Sequence, residues 1–232
     1  MLAVRKSEAR GTANYGWLKS YHSFSFANYY DPNFMGFRSL RVVNEDTVAG
    51  GTGFGTHPHR EMEIISYVLE GVLEHEDSTG GRSRIRAGEV QRMTAGTGIA
   101  HSEFNGSQQN PVRLLQIWIL PNQRGLPPSY EQKTYSEADK RGRWCLVASP
   151  DGRERSLTVH QDVLLYATIL SPGETLTYAL SPQRYAWLQV VRGDIEVNGA
   201  ILSGGDAVSV EKTEALDVSA LSEAEVLLFD LA

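Results

Sequence analysis

Turn-forming residues recur at intervals of about ten along the chain and separate short segments rich in Val, Ile, Leu, Tyr and Thr. Such a pattern is typical of antiparallel sandwiches and barrels, whereas the periodicity of an amphipathic helix is nearly absent. The sequence therefore predicts an all-β protein. The clearest predicted strands are residues 39–44, 63–69, 72–76, 89–94, 113–120, 186–191, 194–197 and 225–231.

The chain contains a loose internal repeat. Residues 67–74 (YVLEGVLE), followed by a Gly-Glu turn at 88–89, are similar to residues 189–196 (QVVRGDIE), followed by a Gly-Asp turn at 205–206. A glycine separates the two apolar segments in each copy, as a tight hairpin requires, although any β-rich chain can contain such turns by chance. Residues 121–136 interrupt the strand pattern with prolines and are expected to link two halves. The predicted domains are residues 1–125 and 126–232.

Charge and cysteine content exclude several classes of protein and of site. The net charge of −6 and the pI of about 5.5 disfavour a broad basic surface, so direct nucleic-acid binding is not expected. No apolar run could span a bilayer and charged residues interrupt the first fifteen positions, which predicts a cytoplasmic protein without membrane contact. Cys145 is the only cysteine. An intrachain disulfide and a thiolate zinc cluster are therefore excluded, and any metal must use nitrogen and oxygen ligands.

Strong metal-ligand candidates occur in two pairs, His57 with His59 and His101 with Glu103, each with spacing i, i+2. Side chains two residues apart on a strand point the same way, so each pair can bind one ion. Two such pairs on neighbouring strands would bring three imidazoles and one carboxylate to a common centre. A single pair would more often reflect packing or surface exposure, but two pairs favour a metal site.

The residues around these pairs resemble a known family. The spacings of glycine, histidine and glutamate are similar to the two motifs of the cupin superfamily. Residues 57–60 (HPHR), 67–71 (YVLEG) and 94–103 (TAGTGIAHSE) resemble the pirin family closely, as do residues 21–32 (YHSFSFANYYDP). The resemblance is dense from residue 17 to residue 120 and becomes sparse in the second half.

The resemblance implies a bicupin, that is, two tandem jelly-roll-like β-barrels, of which the N-terminal barrel binds one metal ion. The implied ligands are His57, His59, His101 and Glu103. In cupins generally the glutamate of the first motif, here Glu63, is commonly the carboxylate ligand. We expect Glu63 to be either an alternative ligand or a residue that supports a ligand, and its simplest interpretation is a buried partner for a histidine N–H or a backbone donor.

Three imidazoles and one carboxylate suit Fe, Ni, Cu, Mn, Co or Zn, and the sequence does not select among these divalent ions. Bacterial pirins include quercetin 2,3-dioxygenases, so the resemblance implies a dioxygenase that cleaves a flavonol such as quercetin with O2 and releases CO. Glu103 would then be catalytic and accept the substrate's enol proton. The alternative is a non-catalytic, metal-containing regulator that binds a partner protein, and another cupin reaction on a different phenolic compound stays open.

The second half lacks the proposed ligands. In an ungapped alignment of the repeat, the positions of His57 and His59 fall on Ala179 and Ser181, and those of the second pair fall on Val218 and Ala220. Residues 171–232 contain no histidine. The C-terminal barrel is therefore predicted to be metal-free.

The other histidines, His22, His75 and His160, are expected to be structural or exposed. His22 has the best claim to a function among them, because it lies in the family-like segment 21–32. Four aromatic residues of that segment could stack on a substrate, but core packing is the favoured interpretation. These aromatic residues are Phe24, Phe26, Tyr29 and Tyr30.

Two further residues, Gln116 and Trp118, alternate on a predicted strand and could face either a cavity or the core. Cys145 lies in an apolar run and is interpreted as a small buried hydrophobic residue. None of these three residues is included in the predicted site.

Overall fold

A computed structural model describes residues 1–232, and nearly all of its regular structure is β. The only α-helix, α1, spans Glu137–Lys140, and two 3-10 helices span Ser7–Ala9 and Arg153–Arg155. No helix is long and apolar enough to cross a membrane. The predicted all-β class is confirmed, and the predicted cytoplasmic location stays a prediction.

Twenty-two strands follow one another along the chain. Strands of the first half are β1 (Leu2–Arg5), β2 (Gly11–Asn14), β3 (Leu18–His22), β4 (Leu40–Val48), β5 (Gly53–His59), β6 (Glu63–Glu70), β7 (Val72–Asp77), β8 (Arg82–Arg86), β9 (Glu89–Thr94), β10 (Ile99–Asn105), β11 (Val112–Ile119) and β12 (Ser129–Thr134). Those of the second half are β13 (Cys145–Ser149), β14 (Leu157–Thr158), β15 (Val163–Leu170), β16 (Thr175–Ala179), β17 (Tyr185–Arg192), β18 (Asp194–Val197), β19 (Ala200–Ser203), β20 (Ala207–Val210), β21 (Ala215–Ala220) and β22 (Ala224–Leu231).

Every predicted strand is present, and the bounds of β9 and β18 are those predicted. The interpretation of residues 121–136 as a linker was wrong in part, because β12 occupies Ser129–Thr134 and pairs with β9. Its sequence, SYEQKT, is polar, and all but one of its residues are only half-buried. A half-buried strand of this kind lacks the apolar signal on which the prediction depended.

The chain forms two compact units, each assembled from more than one segment. The unit that we call N-terminal contains residues 11–134 and 157–161, and the unit that we call C-terminal contains residues 1–10, 135–156 and 162–232. The predicted bounds, 1–125 and 126–232, stay a prediction. They differ from these units in two ways. Strand β1 lies before residue 125 but belongs to the C-terminal unit, whereas β12 and the segment 157–161 lie after residue 125 but belong to the N-terminal unit.

The N-terminal unit consists of two antiparallel sheets. Seven strands neighbour one another in the order β12, β9, β6, β11, β4, β3, β2, and four in the order β5, β10, β7, β8. Apolar side chains pack in two clusters, one around Val68, Leu73 and Leu114 and a smaller one around Ile64 and Met93. The interior between these clusters includes polar side chains, which form the candidate site.

The C-terminal unit has the same kind of pairing around a core cluster of aliphatic side chains. Strands β1, β20, β17, β22, β15 and β13 neighbour one another in that order, and β16, β21, β18 and β19 form a second sheet. Val218 and Ala220, which correspond to His101 and Glu103 in the repeat, are buried in a cluster of aliphatic side chains. Buried aliphatic side chains therefore occupy the two positions that correspond to these ligands.

The two halves share a hairpin glycine with the same backbone conformation. Gly71 connects β6 to β7, Gly193 connects β17 to β18, and both have φ of +79°. A Cβ on Gly193 would lie 2.2 Å from the carbonyl oxygen of Glu223, and one on Gly71 would lie 2.8 Å from that of Pro111. Positive φ and close approach of another backbone both require glycine, which supports the similarity of the two halves.

Replacement of Gly193 by Ala should destabilise the protein more than replacement of Gly199 by Ala. Gly199 also has a positive φ, +86°, but a Cβ there would meet nothing within 4 Å. Both variants add conformational strain, and only Gly193→Ala adds a backbone clash, so we expect it to lose roughly 1–3 kcal/mol more. Urea unfolding checks this, and equal losses would contradict the role assigned to the close approach.

Candidate metal centre

The register of two neighbouring strands brings the predicted ligand pairs together. Strand β5 pairs with β10 so that His57 lies opposite His101, while His59 lies opposite Ile99. His57 and His59 alternate with exposed neighbours on β5, as a strand period of two requires. A register shift between His101 and Glu103 on β10 places Phe54, not a histidine, opposite Glu103.

Three imidazole rings converge on one point. The ring centroids of His57, His59 and His101 lie 4.5–4.9 Å from one another. One nitrogen from each ring lies within 4.8 Å of those of the other two. Two nitrogens bound to one ion are at most about 4.2 Å apart. A small inward movement of the rings would therefore complete a three-histidine site.

The hydrogen-bonding pattern leaves one ring nitrogen of His57 and one of His101 available to bind such an ion. Nδ1 of His57 lies 2.8 Å from the carbonyl oxygen of Gly55. A carbonyl only accepts, so Nδ1 donates and Nε2 keeps its lone pair. Nε2 of His101 is buried without any hydrogen-bond partner. Burial of an unpartnered nitrogen is unfavourable, and a bound cation would satisfy it, so these residues fit a metal ion.

Burial also favours the neutral form of two of these histidines, His59 and His101. It lowers the pKa of His59 to about 4, with a smaller contribution from His57. It lowers the pKa of His101 to about 3, again with contributions from the neighbouring histidines. A neutral imidazole is the form that binds metal. Burial thus favours the ligand form of His59 and of His101 throughout the physiological pH range.

Glu103 is buried beside the histidines and is held by three polar side chains. Its carboxylate accepts hydrogen bonds from Ser66 Oγ (3.2 Å), Gln91 Nε2 (3.2 Å) and Gln116 Nε2 (2.9 Å). Burial raises the pKa of Glu103 to about 7, although these bonds act in the opposite direction. The carboxylate belongs to a second possible ligand group, with His75 and His101, and both groups share His101.

The three donors belong to a row of polar side chains that crosses the seven-stranded sheet. Gln91 lies opposite Ser66, Ser66 opposite Gln116, Gln116 opposite Asn44, and Asn44 opposite His22. All five are buried. We call these five residues the polar row. Ser66 and Gln91 could not be found from the sequence, because only the pairing of β6 with β9 and with β11 shows that they and Gln116 face the same carboxylate.

Glu63 is not within either ligand group. Its side chain is fully buried, and one carboxylate oxygen accepts a hydrogen bond from Thr94 Oγ1 at 3.1 Å. The same oxygen lies 3.3 Å from Nδ1 of His160, in the segment 157–161. The first-motif glutamate therefore anchors this segment to the interior of the N-terminal unit. His160, expected to be structural or exposed, is a half-buried partner in this contact.

A cavity of ≈ 330 Å³ opens beside the histidine cluster. Its wall includes the aromatic side chains of Tyr15, Trp17, Phe26, Phe54 and Trp118. Trp118, which sequence analysis left out of the site, lies with its ring centroid 4.9 Å from that of His59. The remaining lining residues are Ala13, Leu18, Ser20, His22, Ala27, Asn44, Asp46, His57, His59, Glu103 and Gln116.

The aromatic residues of the segment 21–32 have different environments. Phe24 is a buried core residue, as favoured from the sequence, and Tyr30 is exposed. Phe26 lines the cavity, with its ring centroid 5.3 Å from that of Trp118 and 5.2 Å from that of His22. His22, the last residue of β3, is buried and also lines the cavity. His22 and Phe26 are therefore the ring-bearing residues of this segment that contribute to the site.

Comparison with known proteins identifies the family. The family model described as Pirin matches residues 3–119, half of the chain. A curated relative from Escherichia coli strain K12, named quercetin 2,3-dioxygenase, is 49% identical over 231 residues, which cover 100% of this chain and 99% of the relative. The chain belongs to the pirin family. Another relative, named pirin-like protein, from Caulobacter vibrioides, is 41% identical and covers 100% of both chains.

Solved structures agree with this assignment. A crystal structure of the bacterial pirin YhhW from Escherichia coli, in complex with nickel(II), matches with a TM-score of 0.95 and 49% identity over 100% of this chain and 99% of that one. The family model described as Quercetinase C-terminal cupin domain matches residues 146–231. The predicted fold, an all-β bicupin, is therefore confirmed for this pirin.

A second buried carboxyl group lines the cavity of this pirin. Asp46 accepts a hydrogen bond from Ser20 Oγ, and Ser20 Oγ lies 2.8 Å from Nε2 of His22. Burial raises the pKa of Asp46 to about 6, and its neighbour Glu45 adds to the shift. The neutral form of Asp46 is therefore favoured by folding. Asp46 could not be selected from the sequence, because it lies beyond the predicted strand 39–44 and has no second ligand candidate at i, i+2 spacing.

Asp46→Asn should stabilise the metal-free protein at pH 8. A carboxyl group with a raised folded-state pKa contributes full stability below its ordinary pKa of 3.8, and that contribution is lost as the pH rises through about 6. We expect the free energy of unfolding of the variant to exceed that of the wild type by up to about 3 kcal/mol at pH 8 and to approach it at pH 4. Urea unfolding at both pH values checks this, with Glu196→Gln, at an exposed carboxylate, as control. A constant difference across pH would contradict it.

Proposed function

We propose that this chain is a metal-dependent dioxygenase that cleaves a flavonol such as quercetin with O2 and releases CO. The observation that carries the proposal is a cluster of three histidines, two of which line an aromatic cavity together with a buried glutamate. The name quercetin 2,3-dioxygenase, borne by the Escherichia coli relative at 49% identity, supports the reaction.

The proposed metal ligands are His57, His59, His101 and Glu103. The unpartnered Nε2 of His101 and the free lone pair on Nε2 of His57 support binding through these atoms. Nickel(II) in the related pirin structure supports a divalent transition metal, and Fe, Cu, Mn, Co and Zn suit the same donors. When bound, the ion supplies a Lewis acid that lowers the pKa of an enolic hydroxyl.

The cavity fits a flat aromatic substrate. Its volume lies at the lower end of the range for sites that bind drug-sized ligands, about 300–1,000 Å³. Trp17, Phe26 and Trp118 provide ring faces and edges against which aromatic rings can stack. Ser20, Asn44 and Asp46 add hydrogen-bonding groups for phenolic hydroxyls. An aromatic wall combined with a polar end therefore supports a phenolic aromatic substrate such as a flavonol.

Glu103 is the residue proposed to accept the proton of the 3-hydroxyl group. The carboxylate lines the cavity, and donors from Ser66, Gln91 and Gln116 fix its position. In the proposed reaction both atoms of O2 enter the organic product, two carbon–carbon bonds of the central ring break, and the carbon between them leaves as CO. The aromatic wall excludes water from the reacting ring.

The purified protein, reconstituted separately with Ni, Fe, Cu, Mn, Co and Zn, should consume quercetin in air with at least one ion. Loss of flavonol absorbance and formation of an equal amount of CO are the measurements. The metal-free protein is the control and should be inactive. Metal binding without flavonol loss for every ion would overturn the enzymatic proposal and favour a non-catalytic regulator that binds a partner protein.

Glu103→Gln should lower kcat by roughly 10²–10⁴-fold, the usual contribution of a general base. The amide keeps the size of the side chain and can remain among its polar neighbours, but it cannot accept the proton. Elemental analysis of the same preparation separates loss of the ion from loss of the base. Glu70→Gln, at a side chain that is 68% exposed, serves as the matched control. Full turnover by a metal-loaded Glu103→Gln variant would refute the assigned role.

A further inference from the structure

His75 connects the candidate metal centre to a turn on the neighbouring strand. It lies on β7, which pairs with β10, and its own partner in the register is Glu103. Nδ1 of His75 lies 3.4 Å from Nδ1 of His101, and Nε2 of His75 lies 3.0 Å from Oδ2 of Asp77. All three side chains are buried. The three groups therefore form one hydrogen-bonded chain that ends at a candidate ligand.

The direction of each hydrogen bond in this chain follows from the chemistry of its ends. Oδ1 of Asp77 accepts hydrogen bonds from the backbone N–H of Thr79, the hydroxyl of Thr79 and the backbone N–H of Gly81. A carboxyl group with three donors on one oxygen acts as an acceptor at the other, so Nε2 of His75 donates to Oδ2. Nδ1 of a neutral His75 then accepts, and Nδ1 of His101 must donate to it.

We infer that Asp77 and His75 are positioning residues that hold the proton of His101 on Nδ1 and thereby present the lone pair of Nε2 to a divalent metal ion. The buried, unpartnered Nε2 of His101 is the atom left over by this arrangement. The inference rests on the proposed metal site but not on the proposed reaction.

Further contacts fix the ring of His75. The ring centroid of Tyr130 lies 5.0 Å from that of His75, and the Tyr130 hydroxyl is bonded to Ser83 and Gln132 at 2.6 and 2.7 Å. The ring is thus held by Asp77 at one nitrogen and by an aromatic face at its side. A ligand histidine whose other ring nitrogen is hydrogen bonded keeps its tautomer and orientation, and loss of such a partner typically lowers metal affinity 10–100-fold.

The experiment measures the dissociation constant for nickel(II) by competition with a chelator at pH 7.5. We expect His75→Phe, which keeps a ring but has no acceptor, to bind 10–100-fold more weakly than the wild type. His75→Gln can still accept from His101 and donate to Asp77, so it should recover most of the affinity. Glu76→Gln, on the same strand at a side chain that is 56% exposed, is the matched control and should bind like the wild type.

A second measurement separates positioning from direct ligation, since His75 also belongs to a possible ligand group with His101 and Glu103. X-ray absorption of the nickel-loaded proteins counts the imidazole ligands. The same number in wild type and His75→Gln supports positioning, and one fewer in the variant would overturn it in favour of ligation. Asp77→Asn, which tests the same chain without a change at His75, should also weaken binding.

The outcomes are distinguishable from failure of the proposed function. Unchanged nickel affinity in His75→Phe and Asp77→Asn, with a wild type that binds nickel, would overturn the inference alone. A wild type that does not bind nickel or any of the other five ions would overturn both the inference and the proposed metal site. Circular dichroism of each variant shows whether it is folded, and Asp77→Asn remains as the affinity test if His75→Phe is not.

Discussion

The candidate centre depends on the register of β5 against β10. Because successive side chains of a strand alternate between the two faces of the sheet, a slip of one residue would place His101 and His57 on opposite faces. After the register shift that follows His101, the residue opposite Glu103 is Phe54 and not a histidine. Strand pairing alone thus places three imidazoles at one point, and the polar row across the opposite sheet determines where the carboxylate lies.

The fold class and the four candidate ligands could be predicted because their signals are local. Turn spacing indicates strands, and i, i+2 spacing indicates a shared face. The partners of these ligands could not be predicted, since their signal lies in the pairing of strands that are distant in sequence. His75 stands 26 residues before its partner His101, and Gln116 stands 13 after Glu103. Strand β12 was missed because its residues are polar and half-buried.

The two units show how one type of barrel supports different interiors. Both have the same hairpin glycine conformation, and both pair their strands in the same antiparallel manner. Where the N-terminal unit has His101 and Glu103, the C-terminal unit has Val218 and Ala220 among aliphatic side chains. Apolar side chains stabilise by burial without any need for partners, whereas each buried polar group needs one. Three residues of the polar row provide donors to Glu103, and Asp77 provides a partner for His75.

Residues 157–161 belong to the N-terminal unit although they lie between two segments of the C-terminal unit. Glu63 anchors this segment through His160, and β12 covers the edge strand β9, while β1 pairs with β20 in the other unit. A fragment ending at residue 125 would retain all four candidate ligands but lose the two pieces that complete their barrel. No single division of the chain therefore yields two pieces that each contain one complete unit.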